Sequence, residues 1–149
     1  MDAPVKKKKT MFIEGPVTPD FIATSISKHS SKTDIGAHQI FLGQIRSDSI
    51  DGKIVKAIEF CSYGEMADEQ YLVLREELFS KFKLSCMHVY HSLGRVHSGE
   101  INLFVFVSSK HRKDATDACS ELVEMIKTKL PIWGKEIFED EKYVWKVNS

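Results

Sequence analysis

No stretch of this 149-residue sequence approaches the ~18 consecutive apolar residues that a membrane-spanning helix requires. A surplus of one charge is missing too. With 21 basic residues against 21 acidic ones, no global field advertises nucleic acid or a membrane, and any anion site must be local. Cysteine is sparse and odd in number: Cys61, Cys86 and Cys119 lack CxxC spacing and sit inside apolar patterns, which argues against a disulfide framework and reads them as small buried hydrophobes. The one charge block, Lys6-Lys7-Lys8-Lys9, runs on to Glu14 and Gly15 with no apolar core between, so residues 1–10 are expected to form a flexible basic tail and not a secretory leader. Internal repeats and linkers are lacking as well. Since 42% of the residues are hydrophobic, a single domain over residues 11–149 is expected, in a cytoplasmic protein without nucleic-acid or membrane partners.

Strand and helix signals alternate along the rest of the chain. "TPDFIATSIS" opens like a short helix, with Thr18 as N-cap and Pro19 in the first turn, where its missing N–H costs nothing. "GAHQIFLGQIR" and "KIVKAIEFCSY" are β-rich runs joined by "SDSIDG", which reads as a flexible hairpin loop. From Glu65 the period changes, and Ala67, Tyr71, Leu74 and Leu78 fall on one face of a helix ending near Lys83. "LSCMHVYHSLG" and "INLFVFVSS" read as strands either side of the turn "RVHSGE". A second long helix, from about His111 to Lys129, carries the stripe Ala115, Ala118, Cys119, Leu122, Val123 and Ile126, with Ser108 or Ser109 as N-cap and Pro131 as stop. "EIFEDEKYVWKV" ends the chain as two short strands around an acidic turn, so the order predicts an α+β domain.

Four groups of residues could carry chemistry. In "SSKHRKD" a strand gives way to a helix whose free N–H groups suit a phosphate, and Arg112 adds a planar fork; a solvated first turn is the plainer reading. Cations oppose the dipole there, which tilts His111 and Arg112 towards function. In "FLGQIRSD" a strand ends at Arg46, and Gly43 permits close approach of a ligand or another backbone; an edge arginine in water is equally compatible. Cys86, His88, His91 and His97 invite a metal reading. Alternation puts Cys86 and His88 on one face and His91 on the other, with no clean ligand set, so no metal is expected. A nucleophile pair of Cys119 with His111 fails on their separation along one helix. In "KTKLPIWGKE", Lys127 and Lys135 flank a Pro-Ile-Trp step at the helix end, where they either serve the dipole or, held against Trp133 and each other, capture a carboxyl group.

These segments taken together, "GAHQIFLGQIR", "EFCSYGEMADEQ", "HSLGRVHSGE", "VFVSSKHRKDATDAC" and "IKTKLPIWGKE", resemble in order and spacing the large catalytic subunits of molybdopterin synthase, from about residue 11 to 145. The resemblance implies an α/β hammerhead-type domain with an additional small antiparallel sheet, forming a homodimer that binds a small ubiquitin-like sulfur carrier subunit at each end. It implies transfer of two sulfurs from the carrier's C-terminal thiocarboxylate to cyclic pyranopterin monophosphate, with no cofactor and no metal in the step. A relative that has lost turnover and serves as a carrier-binding partner is the alternative.

The same resemblance assigns substrate-binding roles to Gln44, Ile45 and Arg46 in one segment and to His111 and Arg112 in another. It assigns the catalytic lysine beside the carrier's tail to Lys127, and substrate contacts to the terminal segment with Gly134, Lys135 and Glu136. Gly134 stands where many relatives have a lysine, and Ser92 where an arginine is usual; Lys135, one position on, is the candidate second catalytic lysine, but adjacent strand residues face oppositely, so it serves only if the chain twists at Gly134. His111 and Lys127 are 16 residues apart, about 24 Å along one helix. If both serve one substrate, a second subunit must supply one of them.

Overall fold

The computed structural model describes residues 9–147, so the expected basic tail lies, apart from its last two residues, outside the described part. Strand β1 (Phe12–Glu14) leads into helix α1 (Pro19–Ser27), followed by β2 (Ala37–Gln44), β3 (Ser49–Ile50) and β4 (Lys53–Ser62). Helix α2 (Gly64–Lys81), β5 (Cys86–His97), β6 (Ile101–Ser109), α3 (Arg112–Lys129), β7 (Ile132–Phe138) and β8 (Tyr143–Trp145) complete the order. The sheet runs β2-β6-β5-β4-β7-β8, with β1 parallel to β5 and β3 on β4. The expected α+β class is the one observed.

Alternation within β6 organises the core. Leu103, Val105 and Val107 face α2 and α3, where they meet Ala118, Leu122 and Ile126. Phe104 and Phe106 point the other way, into a cluster with Phe21 and Ile22 of α1. A strand covered on both faces reads as a continuous apolar run, which is what "LFVFV" is. A separate cluster of Val55, Ile58, Phe60, Val96 and Phe138 builds the β4-β7 side.

Strand β5 joins the two parts. Cys86 to His91 pair with β6, and Gly94 to His97 pair with β4. Gly94 sits between these pairings with φ of 80°, a left-handed conformation that favours glycine. The strand can therefore turn from one partner to the other without breaking.

Local signals explain most element boundaries. Thr18 Oγ1 accepts the Phe21 N–H at 3.2 Å, and Pro19 opens α1 as expected. Helix α3 ends one residue before Leu130, with Pro131 next, also as expected. Its start differs: His111 holds the N-cap position without a side-chain bond, while Ser108 is occupied by His38 Nδ1 at 2.6 Å. The β2–β4 connector also departs from expectation. Strand β2 pairs with β6, not β4, and "SDSIDG" forms β3 plus a tight turn in which Asp51 and Gly52 have φ of 50° and 77°. Positive φ at both central residues is the I′ geometry that matches strand twist. Cys61 is exposed, contrary to its reading as a buried hydrophobe, because it lies at an outward position of β4.

The β2–β6 pairing begins with no space to spare. Gly36 N–H donates to the Ser109 carbonyl at 3.0 Å, and a Cβ at Gly36 would lie 2.2 Å from the Lys110 carbonyl oxygen. Gly36→Ala must push these backbones apart. It is expected to cost about 1–3 kcal/mol, read as a lower urea midpoint with an unchanged slope.

Candidate active site

A cleft of ≈ 330 Å³ opens where His91 of β5 meets Ile126 and Lys127 at the C-terminal end of α3. Its wall is built from the end of β2 and the residues after it, the facing positions of β4 and β7, His91 of β5 and the last turns of α3. Ile58 and Phe60 stand opposite Glu136 and Gly134 in the β4–β7 ladder. Ile132, Gly134 and Glu136 share that face of β7 and line the cleft, and Trp133 also borders it.

Six of the residues singled out in the sequence line this cleft: Gln44, Ile45, Arg46, Lys127, Gly134 and Glu136. A register shift between Gly43 and Gln44 in the β2–β6 pairing lets the segment bend over the opening. Arg46 is exposed and held by Asp48, Nη2 to Oδ2 at 3.3 Å. Gly134 is required by packing, since a Cβ there would lie 2.8 Å from Ile58 Cγ2 and 3.3 Å from Phe60 Cε1. A side chain at that position requires Ile58 and Phe60 to shift.

Lys135 is not among the cleft residues. Adjacent strand residues point to opposite faces, and its Nζ lies 4.7 Å from the Tyr143 ring centroid and 5.2 Å from that of Trp145. The second lysine in the cleft is instead Lys146, which sequence spacing did not bring forward. Its N–H donates to the Gly134 carbonyl at 2.8 Å, so the strand partner of Gly134 delivers the cation. Lys146 Nζ lies 3.7 Å from Oε1 of the buried Glu136. The only sequence signal for this residue was its alternation with Trp145 in "YVWK".

His111 and Arg112 lie elsewhere. Both are exposed at the N-terminal end of α3, away from the cleft that its C-terminal end helps to form. Helix α3 is uninterrupted, so the two ends of the expected site are separated within one chain. The Cys119 thiol is buried, and burial pushes its pKa up to about 11, which suits packing and not nucleophilic chemistry.

Electrostatics distinguish Lys127 from a helix-end lysine in water. Its ammonium pKa lies below the ordinary value, first because the cleft wall desolvates it and then because Lys146 and Arg46 are near, with Glu124 acting in the opposite sense. His91 is buried beside it, its Nδ1–H donating to the Ser92 carbonyl at 2.8 Å. Desolvation lowers its pKa to about 4, outweighing the hydrogen bond, and Lys127 pushes in the same direction. His91 is therefore a neutral wall of the cleft at pH 7.

The fold and cleft define an α+β domain with a lysine-bearing pocket suited to an anionic ligand. Residues 17–129 match the family model described as MoaE protein, and the chain belongs to that family. The molybdopterin synthase catalytic subunit of Pyrococcus abyssi is 29% identical over 92% of this chain and 90% of its own length. That of Oryza sativa subsp. indica is 37% identical over 76% of this chain and 58% of its own length, so the chain spans little more than half of that relative. Molybdopterin synthase from Staphylococcus aureus superposes with a TM-score of 0.81 at 27% identity, covering 95% of this chain and 99% of that one. A complex of subunits 1 and 2 of the molybdopterin-converting factor of Helicobacter pylori shares the fold, with a TM-score of 0.77 at 19% identity, over 90% of this chain and 87% of that one.

The titration of His91 should be visible in stability. Its folded-state pKa of about 4 lies below the ordinary histidine value of 6.5, so the unfolded chain takes up a proton first as pH falls. Its contribution is intact above pH 6.5 and is lost between 6.5 and 4, by up to about 3 kcal/mol. His91→Asn should flatten that part of the stability profile, measured by denaturant midpoints across the pH window.

Proposed function

We propose that this chain is the catalytic subunit of a molybdopterin synthase and that the cleft bearing Lys127 and Lys146 is where sulfur transfer takes place. The observation that carries this reading is the convergence of Lys127, Lys146 and Arg46 on one cleft within a chain of the MoaE family. Three cations around a small cavity suit two anions that must meet, a thiocarboxylate at a carrier's C-terminus and the phosphate of cyclic pyranopterin monophosphate. The carrier is a small ubiquitin-like subunit, and the large subunit works as a homodimer in the cytoplasm. The family likeness supports each of these points, and no described helix is long and apolar enough to cross a membrane.

In the proposed step the thiocarboxylate sulfur attacks an oxygen-bearing carbon of the substrate and forms a C–S bond as a C–O bond breaks, the oxygen leaving on the phosphate as the cyclic ester opens at one carbon and as water at the other. Water then cleaves the acyl C–S bond, so the carrier leaves as its carboxylate and the sulfur stays on the substrate. Two such transfers make the dithiolene. Lys127 pairs with the incoming thiocarboxylate, and because desolvation and neighbouring cations hold its pKa below the ordinary lysine value, it gives up a proton more readily than a lysine in water. Lys146, oriented by Glu136, holds the second positive charge of the cleft, and Arg46 binds the phosphate side. Gln44, Ile45 and Gly134 shape the wall against which the pterin lies. Lys135, set over Tyr143 and Trp145, supports the end of the hairpin that carries Lys146.

His111 and Arg112 enter this scheme through the partner subunit. At about 22–24 Å from Lys127 along the same helix, they reach the substrate only if the dimer sets one protomer's helix start beside the other's cleft. Mixing inactive Lys127→Ala and Arg112→Ala subunits should then restore part of the activity through hybrid dimers. No recovery after verified subunit exchange counts against a shared site.

The direct test is molybdopterin formation from purified thiocarboxylated carrier and substrate. Lys127→Ala should lower the rate by about 100-fold or more, with carrier binding retained; an active variant removes Lys127 from the chemistry. Lys146→Gln should lower turnover and, by removing a neighbouring cation, move the pH-rate limb due to Lys127 upwards. An unchanged limb would separate the two lysines.

A further inference from the structure

On the α1 side of the sheet, three of the chain's six histidines gather with one cysteine, and none of the four lines the cleft. Cys86 and His88 share a face of β5, and the turn after α1 lays His29 over the Phe106 ring beside them, 4.7 Å between centroids. His29 Nε2 lies 3.1 Å from His88 Nε2, and the candidate ligand atoms of His29, Cys86 and His88 all lie within 4.8 Å of one another. We propose that His29 Nε2, His88 Nε2 and Cys86 Sγ form a binding site for a thiolate- and imidazole-preferring divalent ion of the Zn²⁺ class, which clips α1 to the sheet.

The tautomer of His29 suits the role. Its Nδ1 lies 2.7 Å from the Ser25 carbonyl, which can only accept, so Nδ1 carries the proton and the Nε2 lone pair faces His88. A ligating imidazole is usually held this way, its other N–H given to a backbone carbonyl. Two nitrogens bound tetrahedrally at the usual zinc distances are about 3.4 Å apart, and a sulfur and a nitrogen about 3.6 Å. The two imidazole nitrogens, 3.1 Å apart, need to separate by only about 0.3 Å, and the sulfur needs a side-chain adjustment of about 1 Å.

Lys32 Nζ donates to Cys86 Sγ at 3.1 Å, so the sulfur lone pairs face the same space as the two imidazoles. Lys32 is exposed and can swing away when a metal takes over its charge. Together with Arg75 near His88, it opposes a divalent charge. That disfavours hard ions held by charge alone and selects ions held by thiolate and imidazole donors. His38 stands close by, its ring 6.0 Å from that of His29 and its Nδ1 tied to Ser108 Oγ, and the fourth position is left to solvent. The site lies across the sheet from the cleft, so the proposal is independent of the sulfur-transfer reading.

Co²⁺ titration of the metal-stripped full chain is the test. A 1:1 complex with tetrahedral visible bands and a thiolate-to-cobalt charge-transfer band is expected. Cys86→Ser should abolish the charge-transfer band, and His29→Ala and His88→Ala should each weaken binding by about tenfold or more. No such band, or one that survives Cys86→Ser, overturns the site. Because a variant can fail to fold, X-ray absorption of the Zn²⁺-loaded wild-type chain provides a second reading. One sulfur at about 2.3 Å and imidazole nitrogens at about 2.0–2.1 Å are expected; a shell of nitrogen and oxygen alone overturns the proposal.

Discussion

Strand β5 is hydrogen-bonded to β6 through its first half and to β4 through its second, and the change of partner at Gly94 is the constraint that places everything else. Every residue of a continuous strand offers backbone groups that must be satisfied. A strand that serves two partners in turn joins the helix-covered part of the sheet to the β4-β7-β8 part without a loop between them. The cleft is the space left where the two parts diverge. Its floor is apolar, from Ile58, Phe60 and Leu103, and its rim carries the charges.

That arrangement explains why the charges act where they do. Lys127 sits at the C-terminal end of α3, where a lysine favours the helix dipole in any case. It acquires a second property because the helix end abuts the cleft and two further cations arrive from different strands. Glu136, buried at the base and paired with Lys146, is costly to desolvate alone and tolerable with its partner. Helix α3 thus presents its two ends to different surroundings: Lys127 looks into its own cleft, while His111 and Arg112 face outward.

Much of the fold was legible because local rules and tertiary packing agreed. The cap at Thr18, the stripe of α3, the stop at Pro131 and the terminal hairpin each rest on interactions within a few residues. Cys61 and the cap of α3 departed locally, while the departures that shape the fold are long-range. That β2 pairs with β6 rather than β4 depends on which strands α3 covers, and "SDSIDG" looked like a loop because its pairing with β4 spans so few residues. In the site, Arg46 and Lys127 stood out by position, whereas Lys146 was hidden by its separation from the other cleft residues in the chain.

The sequence by itself determined the class of fold, the helix limits and the family likeness, because periodicity, caps and motif spacing are written along the chain. Only the tertiary structure decided which lysine accompanies Lys127. A side chain at Gly134 would have to displace Ile58 and Phe60, Lys135 points to the far face of β7, and cross-strand pairing sets Lys146 beside Gly134 instead. The same holds for His29, which meets Cys86 and His88 only because α1 packs against Phe106. Proximity across strands is a property of register and packing, and no spacing along the chain encodes it.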